Sequence, residues 1–245
     1  HKLDPIIRRN EFKLVGILNG IDTDSYNSET DKAIFANYSA ENIEPKKKCK
    51  EELQKMFNLP VKPDTPMIAI ISRLVAHKGL DLVRTVIEEV LRQDVQVVIL
   101  GKGDSAYENY FSDLARKYVG KLVTIIAFNP DLSRKIYSGA DLFLMPSKSE
   151  PCGLSQMIAS RYGTVPIVRE TGGLYDSIKP VGNGGNGFTF ANYNAYDMLY
   201  VIREAINCYY NKEFWPQLVK RVMSVDFSWQ RSAKEYEKVY GEMLK

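Results

Sequence analysis

Short, uninterrupted apolar runs separated by longer amphipathic stretches constrain this chain more than any other feature. Met67 to Ile71, Val95 to Leu100, Val123 to Phe128, Leu142 to Met145, Val165 to Val168 and Phe188 to Phe190 read as strands. Leu80 to Leu91, Leu132 to Ser138 and Gln156 to Tyr162 carry helical periodicity between them. Runs of Val, Ile and Leu without polar alternation belong to strands covered on both faces, and parallel strands need a crossover connection, usually a helix. The expected fold is α/β: a Rossmann-like, doubly wound parallel sheet. After Phe190 the strands stop, and helices are expected over Ala195 to Tyr210, Glu213 to Met223 and Ser228 to Leu244, the last with Ser228 as N-cap.

The first sixty-odd residues differ in character. Leu14 to Leu18 reads as a strand ending in Asn19-Gly20, and a polar loop follows. Lys46, Lys47 and Lys48 open a pattern that continues through Leu53, Met56 and Phe57, so the lysine run reads as the solvated face of an amphipathic helix. With a net charge of only +3 spread over 245 residues, composition gives no argument for a nucleic-acid partner. Cys49, Cys152 and Cys208 form no CxxC pair, which argues against a zinc site or disulfide framework and fits a reducing, cytoplasmic setting. No run approaches the roughly 18 apolar residues of a membrane span. His77 is the one non-terminal histidine, and no HExxH, GxSxG or GxxxxGK[ST] occurs, so several hydrolase and nucleotidase classes drop out.

Ligands of open parallel sheets bind beyond the carboxyl ends of the strands, so the loops there are the candidate sites. Ser72-Arg73-Leu74-Val75-Ala76-His77-Lys78-Gly79 places two cations at a helix entry, an arrangement suited to phosphate and equally to solvent. Gly101-Lys102-Gly103-Asp104 permits close backbone approach of a ligand. Phe128 is placed either to stack on a base or to fill core. Pro146 to Ser155 carries an acid, Glu150, where the sheet opens, with Cys152, Gly153, Leu154 and Ser155 after it. Thr171-Gly172-Gly173 reads as a cradle of backbone amides or as an ordinary turn.

Together these residues carry a resemblance. Leu144 to Asp176, LMPSKSEPCGLSQMIASRYGTVPIVRETGGLYD, resembles the signature of bacterial-type glycogen and starch synthases that use ADP-glucose. Asn19-Gly20-Ile21-Asp22, Ser72-Arg73-Leu74 with Lys78-Gly79-Leu80, and Asp226-Phe227-Ser228-Trp229 extend the match in order along nearly the whole chain. The resemblance implies a two-domain GT-B glycosyltransferase of which this is the C-terminal, donor-binding half. Residues 1–20 would then end the missing N-terminal domain and its connector, 21–225 would form the Rossmann-like nucleotide-sugar domain, and 226–245 a helix returning toward the N-terminal domain.

The implied partners are a nucleotide sugar, an α-glucan and the missing N-terminal domain, with neither metal nor other cofactor required. Arg73 and Lys78 match the cations on the donor diphosphate, and Glu150 matches the acid beside the donor glucose. Cys152, Gly153, Leu154 and Ser155 line the same loop, with Thr171, Gly172 and Gly173 nearby. Asn19 matches a polar residue reaching the sugar, and Phe128 a ring against adenine. Ser149 precedes the acid where the family usually has an aromatic, Lys148 stands where arginine is frequent, and Ile158 replaces a glutamate common in the wider group. Two competing readings are a non-catalytic nucleotide-binding module and a UDP-glucose-using transferase. Retention of Arg73, Lys78 and Glu150 together argues against the first, and CGLSQ after Glu150 against the second.

Overall fold

The computed structural model describes residues 3–244. Six parallel strands form one sheet: β1 (Met67–Ile71), β2 (Gln96–Gly101), β3 (Leu122–Ile126), β4 (Leu142–Met145), β5 (Val165–Arg169) and β6 (Phe188–Phe190). Their order across the sheet is β3-β2-β1-β4-β5-β6. The chain therefore builds outward from β1 in one direction, then reverses and builds from β4 in the other. That reversal leaves a crevice between the loops following β1 and β4.

Every residue of β2 and β4 is buried, as expected of strands covered on both faces. The helix Leu80–Leu91 returns from β1 toward β2 and buries Leu80, Leu82, Val83, Val86, Ile87, Val90 and Leu91. Each such side chain contributes about 1.5–3 kcal/mol when fully removed from water. β1, β4, β6 and this helix match their expected limits to the residue, and the remaining strands shift by one or two. The final helix is Trp229–Met243, and Ser228 caps it by accepting the Arg231 amide. The first two residues of the 1–20 segment and the last of 226–245 lie outside the described residues.

Two expectations are corrected, and one helix is added. Leu14 to Leu18 forms no strand: no neighbouring strand accepts it, and Leu14 and Val15 are exposed. A helix at Ser105–Lys117 escaped the reading because it buries only Phe111 and Leu114, too few to mark a helical period. The lysine run is not uniformly solvated. Lys46 and Lys50, one turn apart on the helix Lys46–Met56, are both buried. The Lys46 ammonium donates to Ser138 O (2.8 Å), Tyr162 O (2.9 Å) and Thr164 Oγ1 (3.1 Å). Ser138 lies in the last turn of the helix Pro130–Gly139, and Tyr162 follows the helix Ser155–Arg161. Carbonyls at helix C-termini lack intrahelical donors and carry partial negative charge, so they draw in a cation whose long stem can be buried.

The amino-terminal segment and the final helix are fastened together. Ile21 donates its amide to Phe227 O (2.8 Å) and bridges Ser228, while Ser232 Oγ donates to Leu18 O (2.7 Å).

Candidate functional site

The loops after β1 and β4 meet at the switch point, and one glycine decides how closely. Gly79 has φ +76°, and a Cβ there would lie 2.0 Å from Pro146 O, so only glycine lets the two loops touch. The Lys148 amide donates to His77 O at 2.9 Å across the same seam. This contact brings Lys78, from the first loop, against Glu150, from the second: Lys78 Nζ to Glu150 Oε2 is 2.5 Å. Ser147 Oγ adds a 3.2 Å bond to the same oxygen.

Glu150 is buried to 8% exposure, whereas Arg73 remains exposed, its guanidinium 3.3 Å from His77 Nε2. The arrangement presents one free guanidinium and one paired ammonium at a helix entry, beside a recessed carboxylate. The two cations can engage an anion such as a diphosphate, and the carboxylate can accept hydroxyl hydrogens or face positive charge.

Two residues overlooked in the sequence hold this loop in place. Arg169, the last residue of β5, donates from Nε to Ser147 O (3.2 Å) and from its guanidinium to Lys148 O (3.1 Å). Gln156 is fully buried, and its Nε2 donates to Cys152 O (3.2 Å), Gly153 O (2.9 Å) and Ser177 Oγ (3.0 Å). No motif marks them. The available signals are position alone: a charged residue closing an otherwise apolar strand, and an amide in the first turn of a helix.

The remaining expected residues sort into three groups. Cys152, Gly153 and Ser155 are partly exposed along the Glu150 loop, and Leu154 is exposed. Ser155 does not cap its helix; it is the first helical residue. Asn19 is exposed and lines a cavity of about 580 Å³ with Pro151, Asp226 and Arg231, between the entering segment, the Glu150 loop and the final helix. Phe128 lies beyond the end of β3 and is 89% exposed, so it is not core and its ring is free to stack.

The glycine-rich turns pack against backbone, as the ordinary-turn reading of Thr171-Gly172-Gly173 expects. The Gly173 amide donates to Glu150 O (3.1 Å) and Pro151 O (3.2 Å), so it is already occupied. At Gly172 a Cβ would lie 2.2 Å from Glu150 O. The Thr171-Gly172-Gly173 turn thus seats the backbone of the Glu150 loop, with Thr171 and Gly172 at the surface. Likewise Leu74 donates its amide to Lys102 O (2.9 Å) and bridges Gly103, so the Gly101 turn receives the Arg73 loop. Among the described residues no three His, Cys, Asp or Glu side chains gather into a metal-binding cluster, all three cysteines are free, and no helix is long and apolar enough to cross a membrane.

Fold and site define a doubly wound α/β sheet with a lysine–carboxylate pair across its switch point. Residues 51–215 match the family described as glycosyl transferases group 1, and the chain belongs to that family. It is 51% identical, over 99% of its length, to a glycogen synthase of Bacillus cereus strain ATCC 10987, and 52% identical over the same share to one from Clostridium acetobutylicum. In each case it covers 52% of the relative, so the chain spans about half the length of the curated relatives it matches. It also superposes, with a TM-score of 0.91 and 37% identity, on the catalytic domain of starch synthase IV from Arabidopsis thaliana bound to ADP and acarbose, covering 98% of this chain and 51% of that one.

Proposed function

We propose that this chain is the donor-binding half of a glycogen or starch synthase, transferring glucose from ADP-glucose to the 4-hydroxyl of an α-1,4-glucan with retention. The observation that carries the reading is the Lys78–Glu150 pair at the switch point, with Arg73 exposed beside it. A nucleotide diphosphate laid across the crevice would meet Arg73 and Lys78, and Phe128 would offer a face to the adenine. The glucose would then lie toward Glu150. As the glucosyl–phosphate bond breaks, negative charge grows on the leaving diphosphate and positive charge on the sugar ring. Arg73 and Lys78 stabilise the first, and Glu150 orients sugar hydroxyls and favours the second. The glucan hydroxyl enters from the face that the diphosphate leaves.

Transfer needs donor and acceptor held together with water kept out, a task for an N-terminal half facing this one. These 245 residues alone should bind donor without elongating glucan. A cytoplasmic protein acting on nucleotide sugar fits this reading.

The test is calorimetric titration of the chain with ADP, AMP, adenosine, UDP, ADP-glucose and UDP-glucose. ADP should bind more tightly than AMP or adenosine, and adenine ligands more tightly than uracil ligands. Arg73→Ala should weaken ADP by about 1.5–3 kcal/mol, the usual worth of a hydrogen bond to a charged group. Equal binding of ADP and adenosine would show that the loop is no phosphate site.

A further inference from the structure

A second cavity, of about 600 Å³, opens at the opposite end of the strands, where β4 begins. This is within the range of about 300–1,000 Å³ usual for small-ligand sites. Lys50 and Asp141, both buried, line it. Tyr209 and Trp215 form an aromatic wall, their rings meeting edge to face at 5.1 Å. The exposed pairs Lys47–Glu44 and Lys212–Asp64 stand at the rim.

The charges choose among ligand classes. Four lysines line the cavity, but three carboxylates line it with them, so it holds little net positive charge for an anion. Lys47, Lys50 and Lys212 are paired with Glu44, Asp141 and Asp64 at 2.8, 2.6 and 2.8 Å, and Lys46 spends all three donors on neutral oxygens. An entering phosphate would meet three carboxylates, Glu44, Asp64 and Asp141. A neutral polyol meets no such barrier. Sugar hydroxyls both donate and accept, so they can bridge the outward lone pairs of Glu44 and Asp64 and the outward N–H groups of Lys47 and Lys212. The apolar face of a sugar ring matches Trp215, which is only partly buried.

We infer that this cavity binds an uncharged α-1,4-glucan segment, holding the acceptor polymer at a distance from its reacting end. The inference rests on the function proposed above. The site is distinct from the donor crevice, since β4 separates them: Asp141 and Pro146, at its two ends, are roughly 17 Å apart at about 3.3 Å per residue. A chain gripped there raises the local concentration of its own ends near the crevice, as a second binding module does for a linked one.

The experiment titrates maltoheptaose, and separately ADP, into the wild-type chain and into Trp215→Ala, Lys212→Ala and Arg73→Ala. The expected result is a tenfold or greater loss of maltoheptaose affinity in Trp215→Ala, a loss of a few fold in Lys212→Ala, and none in Arg73→Ala. ADP binding retained in the first two shows that they are folded. Maltoheptaose binding that survives Trp215→Ala, or that disappears with Arg73→Ala, overturns the inference by placing the glucan elsewhere. Inorganic phosphate competing with maltoheptaose at this cavity overturns the choice of ligand class. Absence of maltoheptaose binding with ADP binding intact sinks this site and leaves the donor reading standing. The reverse pattern sinks the donor reading and leaves this site.

Discussion

Strand β4 has a lysine–carboxylate pair at each end, and the two pairs have nearly the same length: Lys50–Asp141 at 2.6 Å and Lys78–Glu150 at 2.5 Å. All four side chains are largely buried. What separates the pairs is how much of their hydrogen-bonding capacity is used. Lys50 also donates to Pro63 O and the Tyr209 hydroxyl, and Asp141 also accepts the Met67 amide at 2.8 Å, which ties the start of β1 to the start of β4. Lys78, among the described residues, donates to Glu150 alone, and Glu150 adds only the Ser147 hydroxyl. With all three donors used, Lys50 has none left for a ligand, and its pair serves the scaffold. An unsaturated one at a crevice keeps donors and lone pairs for something else.

The largest expected effect breaks the scaffold pair. Asp141→Ala leaves the Lys50 charge buried without its partner and should cost about 3–5 kcal/mol of stability, read by chemical denaturation. Glu150→Gln, in an enzyme with both halves present, should instead lower turnover on the order of a hundredfold with ADP affinity and unfolding midpoint near wild type. Equal destabilisation by the two substitutions would abolish the distinction drawn between the pairs.

A smaller effect sharpens it by moving the seam rather than the charges. Gly79→Ala combines a left-handed backbone with a Cβ pressed on Pro146 O and should cost about 1–3 kcal/mol, with weakened ADP binding as the loops part. Unchanged ADP affinity would mean that the crevice does not depend on this contact.

The most gradual effect is a pH slope beside the scaffold pair. Burial lowers the Lys46 ammonium from its ordinary 10.5 to about 8. Between those values the unfolded chain keeps a proton that the folded chain has released, so stability rises with pH across that window. Below pH 8 both states hold the proton and the cost of the buried charge is fully present. The rise is at most about 1.4 kcal/mol per pH unit, and Lys46→Met should remove it. A denaturation series from pH 7 to 10.5 on both proteins checks this, and identical slopes would contradict it.

The strands were legible because burial on both faces leaves continuous Val, Ile and Leu runs, as in Leu142 to Met145. Leu14 to Leu18 carries similar residues without a strand to pair with, and composition does not record neighbours. Arg73, Lys78 and Glu150 stood out as charges on strand-to-helix loops. The 2.5 Å meeting of the last two did not, since it depends on an approach across two distant loops that Gly79 permits. Gly172 and Gly103 suggested room for a ligand, and the room is filled by backbone. A missing Cβ looks the same in a sequence whichever body approaches it. Arg169 and Gln156 act through bonds to carbonyls, which leave no residue pattern to read.

The fastening of Leu18 to Ser232, 214 residues apart, bears on the order in which the molecule assembles. Closing a loop of that length in an unfolded chain costs about 5 kcal/mol of entropy, more than the Ile21–Phe227 and Ser232–Leu18 hydrogen bonds return without the core that buries Ile21 and Phe227. Once the sheet has formed, both ends are already delivered to the same spot and the cost largely vanishes. The fastening therefore belongs to a late stage of folding, and the Ile21 amide should exchange with solvent through a local opening ahead of the amides of β2.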